Sequence, residues 1–209
     1  GNIFESDEAT ITIIDSISPT VDPVDDITIY QGQDLDVNVT GSDNIGIASY
    51  SWEGAPVDAV GNELKGTVTV PGDYEITVTV SDEEGNTNST VFNLKVLPED
   101  HDTDSDGIPD LVEIEWGLSI DDPSDGEADA DNDGMSNSEE YEEGTLPFDD
   151  DTDDDGMPDG WEYRYGLDPK TASADNDEDG DGKTDLEEYR EGTDPIIKEK
   201  QEDDDGGFP

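Results

Sequence analysis

The sequence predicts a molecule in two parts, an all-β sandwich followed by a segment of loops and short helices. In the first part, β-branched runs alternate with polar residues and are separated by turn signals, as is typical of strands. In the second part, acidic segments that contain glycine recur, and each is followed by helix start and stop signals. We predict a lead strand in residues 1–18, a β-domain in 19–98, the repeated segment in 99–195 and a disordered acidic tail in 196–209.

Acidic residues dominate the composition, with 61 Asp and Glu against 8 Lys and Arg and a formal net charge of −53. Such a chain is not expected to bind nucleic acid, because phosphate binding requires clustered Lys and Arg. No apolar run approaches the ~20 residues that span a bilayer, so no direct membrane insertion is expected. Only 29% of the residues are hydrophobic, and they are concentrated in the first part. The acidic part therefore lacks the apolar surface to fold by burial alone.

An alternating run at residues 9–15 predicts a single strand, which needs a partner strand to be stable. The run follows Gly1-Asn2, and the strand predicted after Gly85-Asn86 shows the same order of polar and alternating residues. We therefore interpret residues 1–18 as the last strand of a preceding, similar domain. Two other interpretations stay open, namely the first strand of the β-domain and a strand donated to another subunit.

Residues 19–98 contain six strand candidates and no helical stretch, which is typical of an immunoglobulin-like sandwich. Trp52 lies in a mid-domain strand, and Tyr74 suits a tyrosine corner, so both are predicted to lie in the core. The candidate strands are Ile27–Tyr30, Leu35–Thr40, Ile47–Glu53, Thr67–Val70, Asp73–Val80 and Thr90–Val96.

The run Pro-Gly-Asp-Tyr-Glu-Ile-Thr-Val-Thr-Val-Ser-Asp at residues 71–82, followed by Gly85-Asn86, resembles the immunoglobulin-like PKD and HYR repeats of prokaryotic surface proteins. The Trp-x-Phe-Gly-Asp-Gly signature of PKD repeats is replaced here by Ser51-Trp52-Glu53-Gly54. The resemblance implies a spacer or adhesive module, and the domain contains no catalytic constellation, so no enzyme activity is expected.

Four segments of the second part match the calcium-loop pattern D-x-[DN]-x-[DN]-G-x₅-E. Loops one to four are residues 102–113, 129–140, 151–162 and 177–188. Carboxylates at positions 1, 3 and 5 can converge on one ion because glycine at position 6 permits a sharp turn. Position 7 contributes its carbonyl, position 9 often acts through water, and Glu at position 12 closes the shell, a donor set that favours calcium over magnesium. For about four calcium ions the predicted ligands are Asp102, Asp104, Asp106, Ile108, Asp110, Glu113, Asp129, Asp131, Asp133, Met135, Asn137, Glu140, Asp151, Asp153, Asp155, Met157, Asp159, Glu162, Asp177, Asp179, Asp181, Lys183, Asp185 and Glu188.

Each loop also carries a helix start and a helix stop. Position 8 is Pro, Ser or Thr, which suit a cap or a first turn, and glycine stands four residues after the closing Glu. The predicted helices are Asp110–Trp116, Asn137–Glu143, Asp159–Tyr165 and Asp185–Glu191.

The copies alternate between two kinds, with Pro at position 8 in the first and third and Ser or Thr in the second and fourth. The repeating unit is therefore predicted to be a pair of loops, used twice. The apolar residues of the helices are predicted to form small cores between paired helices, although binding of a partner stays open as an alternative. These residues are Trp116, Leu118, Tyr141, Trp161, Tyr163, Tyr165, Leu167 and Tyr189.

Residues 151–169 and 177–195 resemble bacterial and archaeal thrombospondin type 3-like calcium repeats, and the loop–helix unit also resembles dockerins, which bind cohesins. The resemblance covers residues 102–195. It departs from the usual pattern at Leu146 and Phe148, and at Lys183, which places a cation in loop four. Loop four is therefore expected to bind calcium least tightly.

These features together predict a calcium-binding structural or adhesive segment of an extracellular, cell-surface protein from a bacterium or archaeon, made rigid by calcium. Two alternatives stay open: a subunit of a surface filament or layer joined by strand donation, and a dockerin-like or accessory module of a secreted hydrolase. The expected partners are calcium and neighbouring copies of the chain or another surface protein. In the β-domain, Asp43, Asn44 and Asp82 are candidates for an additional calcium site or, alternatively, solvated turn residues.

Overall fold

The computed structural model describes residues 15–199. The chain divides into two compact units, Gly1–Glu99 and Asp100–Pro209. Except for Asp15, the strand predicted at residues 9–15 lies outside the described residues, and so do residues 200–209 of the predicted tail. Within residues 15–199, no helix has both the length and the apolar character needed to cross a membrane.

The first unit is a β-sandwich with nine strands in the part that the structure describes. One sheet has the strand order β2-β9-β8-β5, another has the order β3-β7-β6, and β1 pairs with β4. The paired strands are antiparallel except β2 and β9, which are parallel. This arrangement is immunoglobulin-like, as predicted. The strands are β1 (Thr20–Val21), β2 (Ile27–Tyr30), β3 (Asp34–Asn38), β4 (Gly41–Ser42), β5 (Ser49–Glu53), β6 (Ala59–Val60), β7 (Glu63–Thr67), β8 (Gly72–Ser81) and β9 (Thr87–Leu97).

The core of this unit lies between the sheets and is apolar. Successive side chains of a strand point to opposite faces, so alternate residues of β8 and β9 face inward. Ile76 of β8 and Phe92 of β9 are 0% and 1% exposed, and Leu64 of β7 covers them from the other sheet at 0% exposure. Burial of this apolar surface favours the folding of the unit.

One predicted strand is wrong. Thr67–Val70 was expected to be a strand, but β7 ends at Thr67 and begins at Glu63. Val68 is buried beyond the end of the strand, where its carbonyl accepts a hydrogen bond from Gly32 N at 2.8 Å and its amide donates to Gln33 O at 3.1 Å. These bonds tie the segment to the turn after β2, so its alternating valines do not continue the sheet. Ile27–Tyr30 is present with the predicted bounds, and the other four predicted strands are present with shifted ends.

Both aromatic residues singled out in the sequence pack against the core while remaining partly exposed. The Tyr74 hydroxyl donates to Val70 O at 2.8 Å, four residues upstream, which confirms the tyrosine corner. Trp52 of β5 donates from its indole Nε1 to Gly61 O at 2.9 Å, so its polar edge is satisfied at the margin of the core.

The second unit contains four helices among its described residues, with the bounds that the sequence predicted. The C-cap glycine of each helix is left-handed, with φ between 73° and 80°. Ser136 and Thr184 form capping boxes with Glu139 and Glu187, whereas the proline caps of the odd-numbered helices make no side-chain bond. The helices are α1 (Asp110–Trp116), α2 (Asn137–Glu143), α3 (Asp159–Tyr165) and α4 (Asp185–Glu191).

Aromatic contacts join the helices two by two. Trp116 of α1 and Tyr141 of α2 lie edge to face, with ring centroids 6.1 Å apart. Trp161 of α3 and Tyr189 of α4 make the same kind of contact at 5.3 Å. Copies one and two, and copies three and four, are therefore packed as pairs, in agreement with the doubled repeat.

Candidate metal centres

In each acidic loop a backbone hydrogen bond closes the loop, and the chain turns sharply at two positions within it. The amide of position 9 donates to the carbonyl of the residue before position 1, as Asp110 N does to His101 O at 2.8 Å. Position 4 and position 6 both have positive φ, a conformation that favours glycine. These two turns fold each loop back on itself so that its carboxylates converge. Position 4 is Ser105, Asn132, Asp154 and Gly180, and position 6 is Gly107, Gly134, Gly156 and Gly182.

The carboxylates of positions 1, 3 and 5 meet in the middle of the loop. In loops one to three their oxygens lie within 4.8 Å of one another. The loop backbone orients the first of them, because Asp102 accepts from Ser105 N at 2.7 Å and from Gly107 N at 3.1 Å. Asp129 and Asp177 accept from the amides of positions 4 and 6 in the same way, and Asp151 accepts from positions 5 and 6.

The Glu at position 12 is fully buried in every loop. Both side-chain oxygens of Glu113 and Glu140, and Oε2 of Glu162 and Glu188, have no hydrogen-bond partner within residues 15–199. A carboxylate buried without a donor is strongly unfavourable in its charged form. These four side chains, each 0% exposed, are Glu113, Glu140, Glu162 and Glu188.

The same burial shifts the acidity of these groups. Desolvation, followed by the charges of the loop aspartates, raises the pKa of Glu113 to about 7 and those of Glu140 and Glu162 to about 8. The pKa of Glu188 is raised for the same reasons. A cation at the centre of each loop would oppose these shifts, because it favours the charged form of the carboxylates.

The position-3 aspartates show the same lack of partners. Both oxygens of Asp104, and Oδ2 of Asp131, Asp153 and Asp179, are buried without a hydrogen-bond partner in the part of the chain that the structure describes. Burial raises the pKa of Asp104, Asp131 and Asp153. Positions 1, 3 and 5 of loops one to three therefore supply converging oxygens suited to a hard cation, and in loop one the closing Glu113 converges with position 5.

Position 9 is turned toward the start of its own loop. Asp110 accepts from Thr103 N at 2.7 Å and from Thr103 Oγ1 at 2.8 Å, and Asp159 bonds to Thr152 in the same way. Asp185 accepts from Glu178 N at 3.3 Å. In loop two, the side chain of Asn137 donates to Asp125 O at 2.7 Å. These hydrogen bonds hold the loop closed, and in loops two and four one position-9 oxygen, Oδ1 of Asn137 and Oδ2 of Asp185, is buried without a partner among the described residues.

Position 7 was predicted to supply only a carbonyl, yet three of its side chains are buried. Ile108, Met135 and Met157 are 0–1% exposed, so they also contribute apolar packing to the acidic unit. In loop four, Lys183 Nζ lies 2.8 Å from Glu191 Oε2 and 3.0 Å from Glu199 Oε2. These two glutamates hold the ammonium group and raise its pKa.

Position 5 connects each of the last three loops to a later segment. In loop two, Oδ2 of Asp133 accepts a hydrogen bond from Gly160 N at 2.6 Å. In loop three, Oδ2 of Asp155 accepts one from Ser173 N at 2.6 Å. In loop four, Glu199 N donates to Asp181 Oδ2 at 3.2 Å, so residues 196–199, the start of the predicted tail, reach this loop.

Two acidic residues outside the predicted set join carboxylate clusters. Asp125, between loops one and two, converges with Asp106 and Glu113. Asp15 converges with Asp43 and Asp82 in the β-unit, where Asn86 donates to both oxygens of Asp82 at 2.7 Å and 2.8 Å. Asn44, the third candidate in this region, is exposed. Neither Asp15 nor Asp125 stands in a local motif, so the sequence contains no signal for either contact.

No protein-family model matches the chain, and no curated protein is similar to it. Among solved structures, the PKD1 domain of Vibrio anguillarum Epp is similar at 20% identity over 40% of this chain and 99% of that one, with a TM-score of 0.33. The PKD domain of human KIAA0319 has 21% identity over 39% and 82%, with a TM-score of 0.31. The SrpA adhesin of Streptococcus sanguinis has 18% identity over 40% and 57%, with a TM-score of 0.33. Similarities this low carry no argument about function.

Proposed function

We propose that the second unit binds calcium, with one ion in each of its four loops, and that the chain is a non-enzymatic structural or adhesive segment of an extracellular surface protein. The observation that carries the calcium proposal is the burial of four closing glutamates, each with at least one oxygen that lacks a hydrogen-bond donor among the described residues. A buried, converging set of carboxylates is stable only when a cation or bound protons neutralise it. At neutral pH a cation is the stronger candidate, because each loop gathers several acidic groups.

The donor set favours calcium among the hard cations. Carboxylates at positions 1, 3, 5 and 12, together with the position-7 carbonyl, offer the six to eight oxygens that calcium takes in a flexible shell. Magnesium requires near-ideal octahedral geometry and retains several waters. An extracellular module of this type would have dissociation constants of ~10⁻⁴–10⁻³ M.

The structural consequence of binding follows from where the ligands lie. Positions 1, 3 and 5 belong to the loop, whereas the closing Glu is the fourth residue of the helix that follows, as Glu113 is in α1. One ion therefore joins a loop to its helix and removes the repulsion that opposes this contact. Binding and folding of the second unit are then a single process, and calcium makes the unit rigid.

The proposal is tested by calcium titration of the full chain in a calorimeter, with Glu140→Gln as the variant. Glu142 is the matched control, because it is exposed on the same helix and Glu142→Gln changes the charge equally. We expect about four sites in the wild type, one of them weakened at least roughly tenfold by Glu140→Gln and none by Glu142→Gln. Absence of calcium binding, or equal effects of the two variants, would overturn the proposal.

The alternatives stay predictions. Assembly by strand donation depends on residues 9–15, of which the structure describes Asp15 alone. A dockerin-like docking role is compatible with the paired helices, and it makes the same prediction for calcium binding. A pull-down against cohesin-type partners separates it from a structural segment.

A further inference from the structure

Loop one differs from the other loops at position 5. In loops two to four, Oδ2 of this aspartate accepts a hydrogen bond from a backbone amide of a later segment. In loop one, Oδ2 of Asp106 is buried and has no hydrogen-bond partner among the residues described. It lies against the backbone of Gly126, where a Cβ atom would come within 2.3 Å of it. The group that faces Asp106 is the carboxylate of Asp125.

The orientation of Asp125 is fixed by its own neighbours. Its Oδ2 accepts from Ser119 N at 2.8 Å, and its carbonyl accepts from the Asn137 side chain at 2.7 Å. Its Oδ1 is buried and has no hydrogen-bond partner in the described part of the chain. The side chain is therefore held with one satisfied oxygen and one oxygen available to the carboxylates of loop one.

The third member of this cluster is Glu113. It is 0% exposed, and neither of its oxygens has a hydrogen-bond partner within the described residues. Oxygens of Asp106, Glu113 and Asp125 lie within 4.8 Å of one another. Three carboxylates this close repel one another unless a cation lies between them or protons are bound.

We propose that Asp125 is a cation ligand of loop one, supplied from outside the twelve-residue loop, and that it makes loop one the tightest of the four calcium sites. This inference rests on the proposed calcium function. In loop one, Asp125 adds a carboxylate that converges with Asp106 and Glu113 of the motif. The position-5 aspartates of loops two and three instead accept from the backbone amides of Gly160 and Ser173. More ligand charge raises calcium affinity. The bound ion also fastens the segment between the first two loops to loop one.

The amides of the position-6 glycines report on the loops one at a time. Gly107, Gly134, Gly156 and Gly182 each donate to the position-1 carboxylate of their own loop, at 2.8–3.1 Å. An ion bound to that carboxylate changes the hydrogen bond and therefore the amide chemical shift. In a calcium titration of the full chain followed by NMR, we expect the Gly107 signal to respond at the lowest calcium concentration.

The variant that tests the proposal is Asp125→Asn, which keeps an oxygen for Ser119 N and removes the charge. Asp121→Asn is the matched control, because Asp121 is exposed in the same segment. We expect Asp125→Asn to raise the Gly107 midpoint roughly tenfold in calcium concentration and to leave the Gly156 midpoint unchanged. Asp121→Asn should move neither. An unchanged Gly156 midpoint also shows that the variant still folds.

Three results would overturn the assignment of Asp125. The Gly107 midpoint could be the same in Asp125→Asn as in the wild type. It could be lower in Asp125→Asn, as expected if Asp106 and Asp125 share a proton. Asp121→Asn could shift it as much as Asp125→Asn does. If Gly134, Gly156 and Gly182 respond in these cases, the proposed calcium function stands and only the role of Asp125 fails. If no glycine responds in the wild type, the calcium function itself fails.

Discussion

The two units differ in the charge of the side chains that they bury. The core of the β-unit is apolar, as at Leu64 and Phe92, whereas in the acidic unit glutamates such as Glu113 and Glu162 are just as inaccessible. Burial of apolar surface favours folding by itself, but burial of carboxylates opposes it until their charge is neutralised. We therefore expect the first unit to be stable without bound ions and, on the proposed function, the stability of the second to depend on the ions in solution.

Removal of calcium should have the largest effect, and it should unfold the acidic unit without unfolding the β-unit. In chelator we expect α1 to α4 to unfold while the β-sheet remains, because calcium at a hundred times its dissociation constant contributes about 2.7 kcal/mol per site. Far-ultraviolet circular dichroism with and without chelator measures this. Readdition of calcium should restore the helix signal, and magnesium at equal ionic strength is the control. A helix signal that survives in chelator at about pH 9, above the raised pKa values of the buried glutamates, would contradict the coupling of binding and folding.

A cavity in the core of the β-unit should destabilise that unit and leave the acidic unit unchanged. Phe92→Ala removes a ring that is 1% exposed, and we expect it to lower the free energy of unfolding of the β-unit by about 3–5 kcal/mol. Urea denaturation should show this loss both in calcium and in chelator. Val91→Ala is the control in the same strand, because Val91 is 52% exposed and should have little effect. A change in calcium affinity in Phe92→Ala would show that the units are not independent.

Lowering the pH should have a smaller effect on stability. We expect it to stabilise the calcium-free acidic unit and to destabilise the β-unit. Burial raises the pKa of Glu140 and of Glu162 from 4.5 to about 8, so the calcium-free folded state binds protons that the unfolded state releases. Stability of the calcium-free acidic unit is therefore lost as pH rises toward 8 and regained on acidification. In the β-unit, hydrogen bonds from Asn93 lower the pKa of Asp26 below its usual value of 3.8. Acid therefore lowers the stability of this unit only when the pH falls below 3.8.

The measurement is the helix signal in chelator between about pH 5 and pH 9, a range that spans the shifted values. The double variant Glu140→Gln with Glu162→Gln should keep more helix at the upper end, because its amides carry no charge. Glu142→Gln serves again as the exposed control. Helix content that rises with pH in chelator would contradict the origin of these shifts in buried carboxylates.

The accuracy of the sequence predictions follows the range of the interactions involved. The helix bounds were predicted correctly because Ser136, Thr184 and the C-cap glycines act within one turn of the chain. The loop residues that converge were also recognisable, since a twelve-residue pattern specifies them. Thr67–Val70 was misassigned because distant contacts with Gly32 and Gln33 decide its conformation. Asp125 was missed because its place depends on how the segment after α1 folds back.

The aspartates at position 5 have a consequence for how the loops respond together. Asp133 and Asp155 each belong to one candidate ion site and also hold the backbone of a following segment. An ion that orders such an aspartate therefore lowers the entropy lost when the next copy folds. Copies linked only to their neighbours behave as a linear array, in which a boundary between a folded and an unfolded copy is unfavourable. Loops two to four should consequently fill over a narrower range of calcium concentration than three separate loops would, whereas loop one, which lacks this link, should fill independently.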